Sequence, residues 1–176
     1  MAEVSSIITS ANTINTSVGD FKYDYLVIAT GCKTNFYGNA DLEKNAFGLK
    51  STYDAIKIRN SVLQSFEDFL SASEEEKEYL LNIVIVGGGP TGVEMAGALA
   101  ELIRGPLKGD HAEAAANINI SLVEAGERLL PALHPSLSAR TYRDLEKMGV
   151  QVLTNTAVAE VAPRIIKFKD GAQIGA

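Results

Sequence analysis

Apolar and polar residues alternate with two different periods along the chain, and the changes of period outline its elements. Residues 2–18 alternate loosely among Ser, Thr and Asn, which predicts short strands in a small antiparallel meander, with a turn at Gly19 and Asp20. Residues 23–31 form a short apolar run ended by glycine, which predicts a buried strand. Residues 32–50 show little periodicity and predict a linker or crossing loop.

A helical period begins after residue 50. Ser51 and Asp54 resemble a capping box, and apolar residues then recur at helical spacing through Leu70, which predicts an amphipathic helix whose aromatic residues belong to the core. The acidic run over residues 71–78 is typical of a solvated helix face or turn.

The rest of the chain alternates strands with helices. Strands are expected at residues 80–86, 118–124 and 150–154, helices at 93–103 and 135–148, and an inserted polar loop at 105–117. This alternation predicts an α/β fold, a Rossmann-like doubly wound parallel sheet with a three-layer core, beside a small antiparallel β-meander.

A weak internal repeat bears on the edge of that sheet. Residues 159–161 repeat the Ala-Glu-Val of residues 2–4, and each copy precedes a meander closed by a Gly-Asp or Asp-Gly turn. Only the first copy runs on into an apolar strand, so we expect an open sheet edge beside residues 83–86. Residues 25–29 could fill that edge within the chain, or by exchange between two chains in a dimer.

The composition of the chain argues against several classes of function. The 176 residues carry a net charge of −6, which argues against a nucleic-acid or anionic-membrane binder because both need a basic face. Cys32 is the one cysteine, which excludes an internal disulfide and a CxxC motif and fits a reducing, cytoplasmic compartment. Neither His111 nor His134 lies in a metal-ligand cluster, so we expect no metal. The absence of a long uncharged run predicts no membrane insertion by this chain.

The most informative motif is Gly87-x-Gly89-x-x-Gly92, because it follows an apolar strand and opens a helix. Gly87 would allow the sharp turn, Gly89 would let a pyrophosphate approach the backbone, and Gly92 would let the helix pack on the sheet. Amides of the helix N-terminus would then face the phosphates. The motif therefore predicts a dinucleotide site, with a tight turn that binds nothing as the alternative. The predicted contacts are Gly87, Gly88, Gly89, Pro90, Thr91 and Gly92.

Such a site needs an acid at the end of the second strand to accept hydrogen bonds from the adenosine ribose. Glu124 occupies that position, and its carboxylate would repel a 2′-phosphate, which favours NAD(H) over NADP(H). Asp110 has better spacing from Gly92, but no strand precedes it. Arg128 leaves NADP(H) open because an arginine there could bind the 2′-phosphate, and a plain surface acid is the alternative for Glu124 itself.

Glu94 has two interpretations. In the first turn of the predicted helix, its carboxylate would be stabilised by the helix dipole. An anion there is repelled by a bound pyrophosphate, so the side chain could instead lie beside the reacting nicotinamide ring.

Several stretches together resemble a known family. They are similar to the flavoprotein oxidoreductases that bind two dinucleotides, within the pyridine nucleotide oxidoreductase superfamily, and most similar to type II NADH dehydrogenases, the single-subunit NADH:quinone oxidoreductases. The residues that carry this resemblance are 23–31, 49–60, 83–101 and 123–131.

The resemblance implies roles for individual residues. Thr30 and Gly31 would lie against FAD, the glycine turn would hold the NADH pyrophosphate, and Val158 would lie near the adenine. Glu124 would take the ribose, and Glu94 would lie close to the nicotinamide and the flavin. Hydride would pass from NADH to FAD, and electrons from the flavin to quinone.

Departures from the family pattern lead us to expect a fragment. The sequence has one strand–GxGxxG–helix motif where a complete member has two, and it lacks the late flavin-contacting segment and the membrane-associating C-terminal part. Residues 1–48 would be part of the FAD domain and residues 49–176 a truncated NAD(H)-binding domain, inactive alone. The parent protein would be peripheral on the cytoplasmic membrane face. A ferredoxin- or nitrite-reductase-like flavoprotein and a non-enzymatic NADH sensor remain alternatives.

Overall fold

The computed structural model of the chain describes residues 1–110 and 112–176, without the side chains of residues 108 and 110. The chain divides into two compact units, Met1–Lys33 (unit 1) and Thr34–Ala176 (unit 2). This division falls earlier than the boundary expected after residue 48, and the flavin and nicotinamide assignments of the two parts stay predictions. The expectation that His111 is not a metal ligand concerns a residue outside the described ones.

Unit 1 contains the predicted antiparallel meander. Its strands are β1 (Val4–Ile8), β2 (Thr13–Thr16) and β3 (Gly19–Lys22), paired in the order β1-β2-β3. The prediction of a turn at Gly19 and Asp20 is wrong, because both residues lie in β3 and the turn is at residues 17–18. Asp20 stands opposite Asn15 in the ladder and accepts a hydrogen bond from its Nδ2 at 2.6 Å.

The predicted buried strand at residues 23–31 is not formed. Tyr25, Val27 and Ile28 are 96%, 85% and 67% exposed, and the described residues of this segment pair with no strand. Apolar, β-branched sequence favours a strand only when a neighbouring strand and a covering layer are present. The expectation that residues 25–29 fill the edge of the parallel sheet, within the chain or between two chains, stays a prediction.

Unit 2 begins with three helices, α1 (Ala40–Asn45), α2 (Thr52–Ser71) and α3 (Glu74–Leu80). The capping box predicted before α2 is confirmed, since Ser51 Oγ accepts the N–H of Asp54 and the Asp54 carboxylate accepts the N–H of Ser51. Ser73 and Glu76 form a second box at α3, so the acidic run is a helix.

Residues 32–50 are not all loop, because α1 lies within them. The Asn39 side chain caps this helix by accepting the N–H of Leu42 at 2.9 Å. Two side-chain amides of the segment also donate to a strand far along the chain: Asn39 Nδ2 to the carbonyl of Ala159 at 3.3 Å, and Asn45 Nδ2 to that of Val161 at 2.7 Å.

The predicted parallel sheet and its helices are confirmed. The strands are β4 (Asn82–Val86), β5 (Asn119–Val123) and β6 (Val150–Leu153), in the order β4-β5-β6. The helices are α4 (Pro90–Arg104), α5 (Pro106–Asp110), α6 (Ala112–Asn117) and α7 (Pro135–Lys147). His134 is the N-cap of α7, and its Nδ1 accepts the N–H of Ser136 at 3.3 Å.

The prediction of an inserted loop at residues 105–117 is wrong, because α5 and α6 occupy most of it. The alanines of α6 favour a helix, and Pro106 suits a first helical position. Leu107 and Ala114 are buried in the core, so packing stabilises both short helices.

Three layers make up unit 2. The last strands, β7 (Val158–Ala162), β8 (Ile165–Phe168) and β9 (Gln173–Ile174), form the second meander in the order β7-β8-β9. Along β4, Ile83 and Ile85 pack with the helices, whereas Val84 packs with the meander, because side chains alternate across a strand. The parallel sheet is thus covered by helices on one face and by the meander on the other, as a buried parallel sheet requires.

None of the described helices has the length and hydropathy needed to cross a bilayer.

Candidate functional site

The turn that joins β4 to α4 has the geometry that the glycine motif predicts. Gly87 has φ of +113°, a conformation that residues with a side chain rarely adopt, and its N–H donates to the carbonyl of Val123 at 2.8 Å. Gly89 is the N-cap of α4, and Pro90 is its first residue. The turn thus starts at the carboxyl end of the sheet and runs directly into the helix.

The inner side of this turn is closely packed. A Cβ on Gly92 would overlap the carbonyl oxygen of Gly87 and approach a methyl carbon of Leu122 at 3.4 Å. A Cβ on Gly88 would lie 2.6 Å from a methyl carbon of Leu129 and 2.9 Å from the Cβ of Glu124. Both positions require glycine because the structure itself fills the space.

The outer side of the turn is open. A Cβ built on Gly87 or Gly89 would meet no described atom within 4 Å. The amides of Thr91 and Gly92 belong to the first turn of a 15-residue helix, where N–H groups have no acceptor within the helix. An anion could therefore approach bare backbone here, and the helix dipole would favour it.

Glu124 follows β5 directly and reaches the glycine turn. Its Oε2 accepts the N–H of Gly88 at 2.6 Å, and its Oε1 accepts the N–H of Gly126 at 2.6 Å. Each carboxylate oxygen has a further lone pair and can accept a second hydrogen bond. The structure thus brings Glu124 and the glycine motif together, and the contact with a ribose stays a prediction.

Arg128 is engaged by its own loop. Its Nη1 donates to the carbonyl of Leu133 at 2.9 Å and to Ser138 Oγ at 2.8 Å, and its Nη2 donates to the carbonyl of Pro131 at 2.6 Å. Both terminal nitrogens of the guanidinium thus already have acceptors, which disfavours the alternative that Arg128 binds a 2′-phosphate.

The loop that carries Arg128 also contacts the glycine turn, a relationship that the sequence analysis missed. Leu130 has φ of +49°, and its N–H donates to the carbonyl of Gly88 at 2.8 Å. Leu129 is buried, 1% exposed, with its side chain beside Gly88. The two apolar residues at 129 and 130, close after the strand-end acid, were the available signal.

The loop after β6 approaches the same acid from another direction. Thr156 donates its N–H to the carbonyl of Glu124 at 2.9 Å, and Asn155 donates its N–H to that of Gly126 at 2.8 Å. Val158 begins β7 two residues later and is half-buried, packed against the apolar cluster that contains Val161, Ile166 and Phe168. Its predicted place near an adenine stays a prediction.

Glu94 is exposed on α4. The expectation that it lies in the first helical turn is wrong, because the helix begins at Pro90 and Glu94 is its fifth residue. Stabilisation by the helix dipole falls off within the first turn, so that explanation for Glu94 is weakened.

Asp110, the other acid that the sequence offered as a ribose ligand, ends α5 and follows no strand.

Thr30 and Gly31 belong to unit 1. Both are exposed in that unit, and Gly31 has φ of +73°. Unit 1 as described does not enclose a ligand at these residues, so it does not by itself form a site that fits FAD.

The described residues of the chain contain no group of three or more His, Cys, Asp or Glu side chains able to hold a metal ion.

Comparison with known proteins shows which protein family the chain belongs to. A family model for pyridine nucleotide-disulphide oxidoreductases matches residues 1–176. The chain therefore belongs to that family, to which the glycine turn beside a strand-end acid is well suited.

Within this family, the chain is similar to type II NADH:quinone oxidoreductases. It is 34% identical to NdhA of Mycobacterium tuberculosis over 98% of this chain and 38% of that protein. It is 36% identical to a type II NADH:quinone oxidoreductase of Haemophilus influenzae, over 88% of this chain and 38% of that protein. The chain thus spans little more than a third of these relatives' length.

A solved structure agrees with the sequence comparison. The chain matches NDH2 of Plasmodium falciparum in complex with NADH with a TM-score of 0.79 and 30% identity, over 99% of this chain and 38% of that one. A ferredoxin reductase from Rhodopseudomonas palustris shares the fold with a TM-score of 0.64 at 16% identity.

Proposed function

We propose that unit 2 binds NADH, with the pyrophosphate at the outer side of the glycine turn and the adenosine ribose at Glu124. The observation that carries this proposal is the hydrogen bond from Gly88 to Glu124, which joins an open anion-binding turn to a carboxylate with spare lone pairs. The NADH-bound structure of the similar NDH2 supports it. Val158 lies near the adenine in this arrangement.

The same geometry favours NADH over NADPH. A 2′-phosphate on the adenosine ribose would approach the negative charge of Glu124. Arg128, the arginine that could neutralise it, already donates from both terminal nitrogens to its own loop. NADPH would therefore meet the repulsion of Glu124, whereas three of the five N–H groups of Arg128 are already used within the protein.

We propose further that the chain is the NADH-binding part of a flavin-dependent NADH dehydrogenase, which passes hydride from NADH to FAD and electrons on to quinone. The similarity to type II NADH:quinone oxidoreductases supports this activity. Glu94 would lie beside the nicotinamide, and Thr30 and Gly31 would contribute to the FAD site. The longer protein would be peripheral on the cytoplasmic face of the membrane.

Calorimetric titration of the chain with NADH and with NADPH tests the nucleotide site. We expect weak NADH binding and weaker NADPH binding, and equal affinity for the two would contradict the role of Glu124. A separate assay supplies the chain with FAD, NADH and a quinone analogue. We expect no rapid NADH oxidation, because unit 1 does not enclose a flavin site, and rapid turnover would show that the chain is sufficient for the reaction.

We also propose that two copies of the chain form a dimer through the edge of β4. β4 lies at one edge of the described sheet, and the apolar segment 25–29 exposes the side chains of Tyr25, Val27 and Ile28. Pairing of this segment with β4 of a second copy would satisfy backbone groups on both sides. Sedimentation at increasing concentration tests the proposal. We expect a dimer that Val27→Pro abolishes, and a chain that stays monomeric up to high concentration contradicts it.

A further inference from the structure

The loop between β5 and α7 holds the glycine turn in place from one side, and Arg128 holds that loop. Its guanidinium donates to three acceptors, of which two are carbonyls of the loop and the third is the hydroxyl of Ser138 in α7. Ser138 is 5% exposed, so this anchor is inside the protein. The loop is thereby fixed to the helix that follows it.

The fixed loop contacts the backbone of Gly88 in the glycine turn. Leu130 donates its N–H to the carbonyl of Gly88, and the Leu129 side chain fills the space where a Gly88 side chain would be. The N–H of Gly88 meanwhile donates to Glu124. Gly88 is therefore held through its carbonyl by the loop and through its amide by the acid.

The backbone of Leu130 needs such support. With φ of +49° it is in the left-handed region, which costs a residue with a side chain about 1–2 kcal/mol. A conformation of this kind persists only when its surroundings enforce it. The carbonyls of Pro131 and Leu133, on the C-terminal side of Leu130, are the ones that Arg128 binds.

We propose that Arg128 is a positioning residue of the dinucleotide site: it fixes the 129–134 loop in the conformation that holds the Gly88 peptide, and it does not contact the ligand. The inference rests on the proposed NADH site, since that site gives the position of Gly88 its functional meaning. The planar guanidinium is required because a lysine ammonium is a single point and cannot span carbonyls and a hydroxyl lying in different directions.

Two measurements on the full chain test this inference, with the variants Arg128→Ala, Arg128→Lys and Ser138→Ala. Arg143→Ala is the matched control, because Arg143 is an exposed arginine of α7 that lines the same surface cavity as Arg128. The first measurement is the dissociation constant for NADH and for NADPH by calorimetry. The second is amide hydrogen exchange at Leu130 by NMR, well below the unfolding temperature.

We expect Arg128→Ala to weaken NADH binding at least about tenfold, which corresponds to about 1.4 kcal/mol. The ratio of NADPH to NADH affinity should stay unchanged, and exchange at Leu130 should accelerate about tenfold or more. Arg128→Lys should resemble the alanine variant despite its charge, and Ser138→Ala should show a smaller change of the same kind. Arg143→Ala should change neither quantity.

Three results would overturn the inference. A selective loss of NADPH affinity in Arg128→Ala would make Arg128 a phosphate ligand. Full NADH affinity in Arg128→Lys, or Leu130 amide exchange in Arg128→Ala equal to that in the Arg143→Ala control, would show that the guanidinium does not fix the loop. Failure of the proposed function is a distinct result. If the unmodified chain binds no NADH, the nucleotide site is wrong, whereas Leu130 exchange still decides whether Arg128 fixes the loop.

Discussion

The carboxylate of Glu124 accepts the backbone N–H of Gly88 at 2.6 Å, so the acid at the end of β5 and the turn at the end of β4 form one hydrogen-bonded structure. Two features that lie 36 residues apart in sequence are therefore directly coupled. A change in the acid affects the turn as well as any sugar bound to the acid.

Glu124→Gln should weaken NADH binding about tenfold or more. The amide has one acceptor oxygen, so its nitrogen would face the N–H of Gly88 or of Gly126, and hydrogen bonds to a charged acceptor contribute about 1.5–3 kcal/mol. The loss of charge should also reduce the discrimination against NADPH. Calorimetry with both nucleotides measures this, with Glu127→Gln as the control on an exposed acid of the same loop. A variant with unchanged affinity and selectivity would remove Glu124 from the site.

Gly89→Ala should remove NADH binding while lowering the unfolding temperature only slightly, because alanine is a poorer N-cap than glycine. The added methyl group meets no described atom within 4 Å and φ at Gly89 is −75°, so the fold tolerates it, but it occupies the side from which a phosphate approaches. Gly87→Ala is the contrasting variant, because φ of +113° strains an alanine and should lower stability. Thermal unfolding and calorimetry on both variants separate the two effects. Normal NADH affinity in Gly89→Ala would place the phosphates elsewhere.

Gly92→Ala should destabilise the chain by about 2–4 kcal/mol, because the methyl group would overlap the carbonyl oxygen of Gly87 and force α4 away from the turn. Gly97→Ala on the same helix is the control. Its methyl group would contact Met148 at an ordinary 3.9 Å, so helix propensity should stabilise it by up to about 1 kcal/mol. Denaturant unfolding measures both changes, and similar stability of the two variants would contradict the close approach at Gly92.

Ser51→Ala should raise the pKa of Asp54. Hydrogen bonds from the hydroxyl and N–H of Ser51, and from the N–H of Lys50, lower this pKa in the folded chain. A lowered folded pKa means that the carboxylate stabilises the fold above the ordinary aspartate pKa of 3.8 and that this stabilisation is lost as pH falls through the lower folded value.

NMR titration of the Asp54 carboxyl group measures this change. Glu76 is the internal control, because its own capping box with Ser73 is intact in the variant and should keep its lowered pKa. An Asp54 pKa that is the same with and without the Ser51 hydroxyl would show that the capping box does not hold the charge.

Local patterns predicted the elements whose stabilising contacts are near in sequence or strongly periodic. The capping box of Ser51 and Asp54, the apolar stripe of α2 and the strand–turn–helix around Gly87 all belong to this group. The segment 23–31 was mispredicted because its apolar residues indicate a strand but cannot supply the partner that a strand needs. Residues 105–117 were mispredicted because breaks at glycine and proline outweighed a run of alanines with strong helix propensity.

The candidate site was predictable only in part. The glycine motif and Glu124 are recognisable because backbone geometry restricts which residues fit there. The contacts of Arg128 are with backbone carbonyls and a serine hydroxyl, which leave no periodic pattern in the sequence. For that reason the arginine suggested a phosphate ligand, whereas the structure shows it bound within its own loop.

The side-chain amides of Asn39 and Asn45 have a consequence for aggregation. β7 is the outer strand of the second meander, and its carbonyls at Ala159 and Val161 accept these two amides. An outer strand with unused carbonyls is a template on which another chain can polymerise. Asn39 and Asn45, at the two ends of helix α1 in a stretch that the sequence suggested was a passive connection, thus occupy two of the carbonyls that such a template would use.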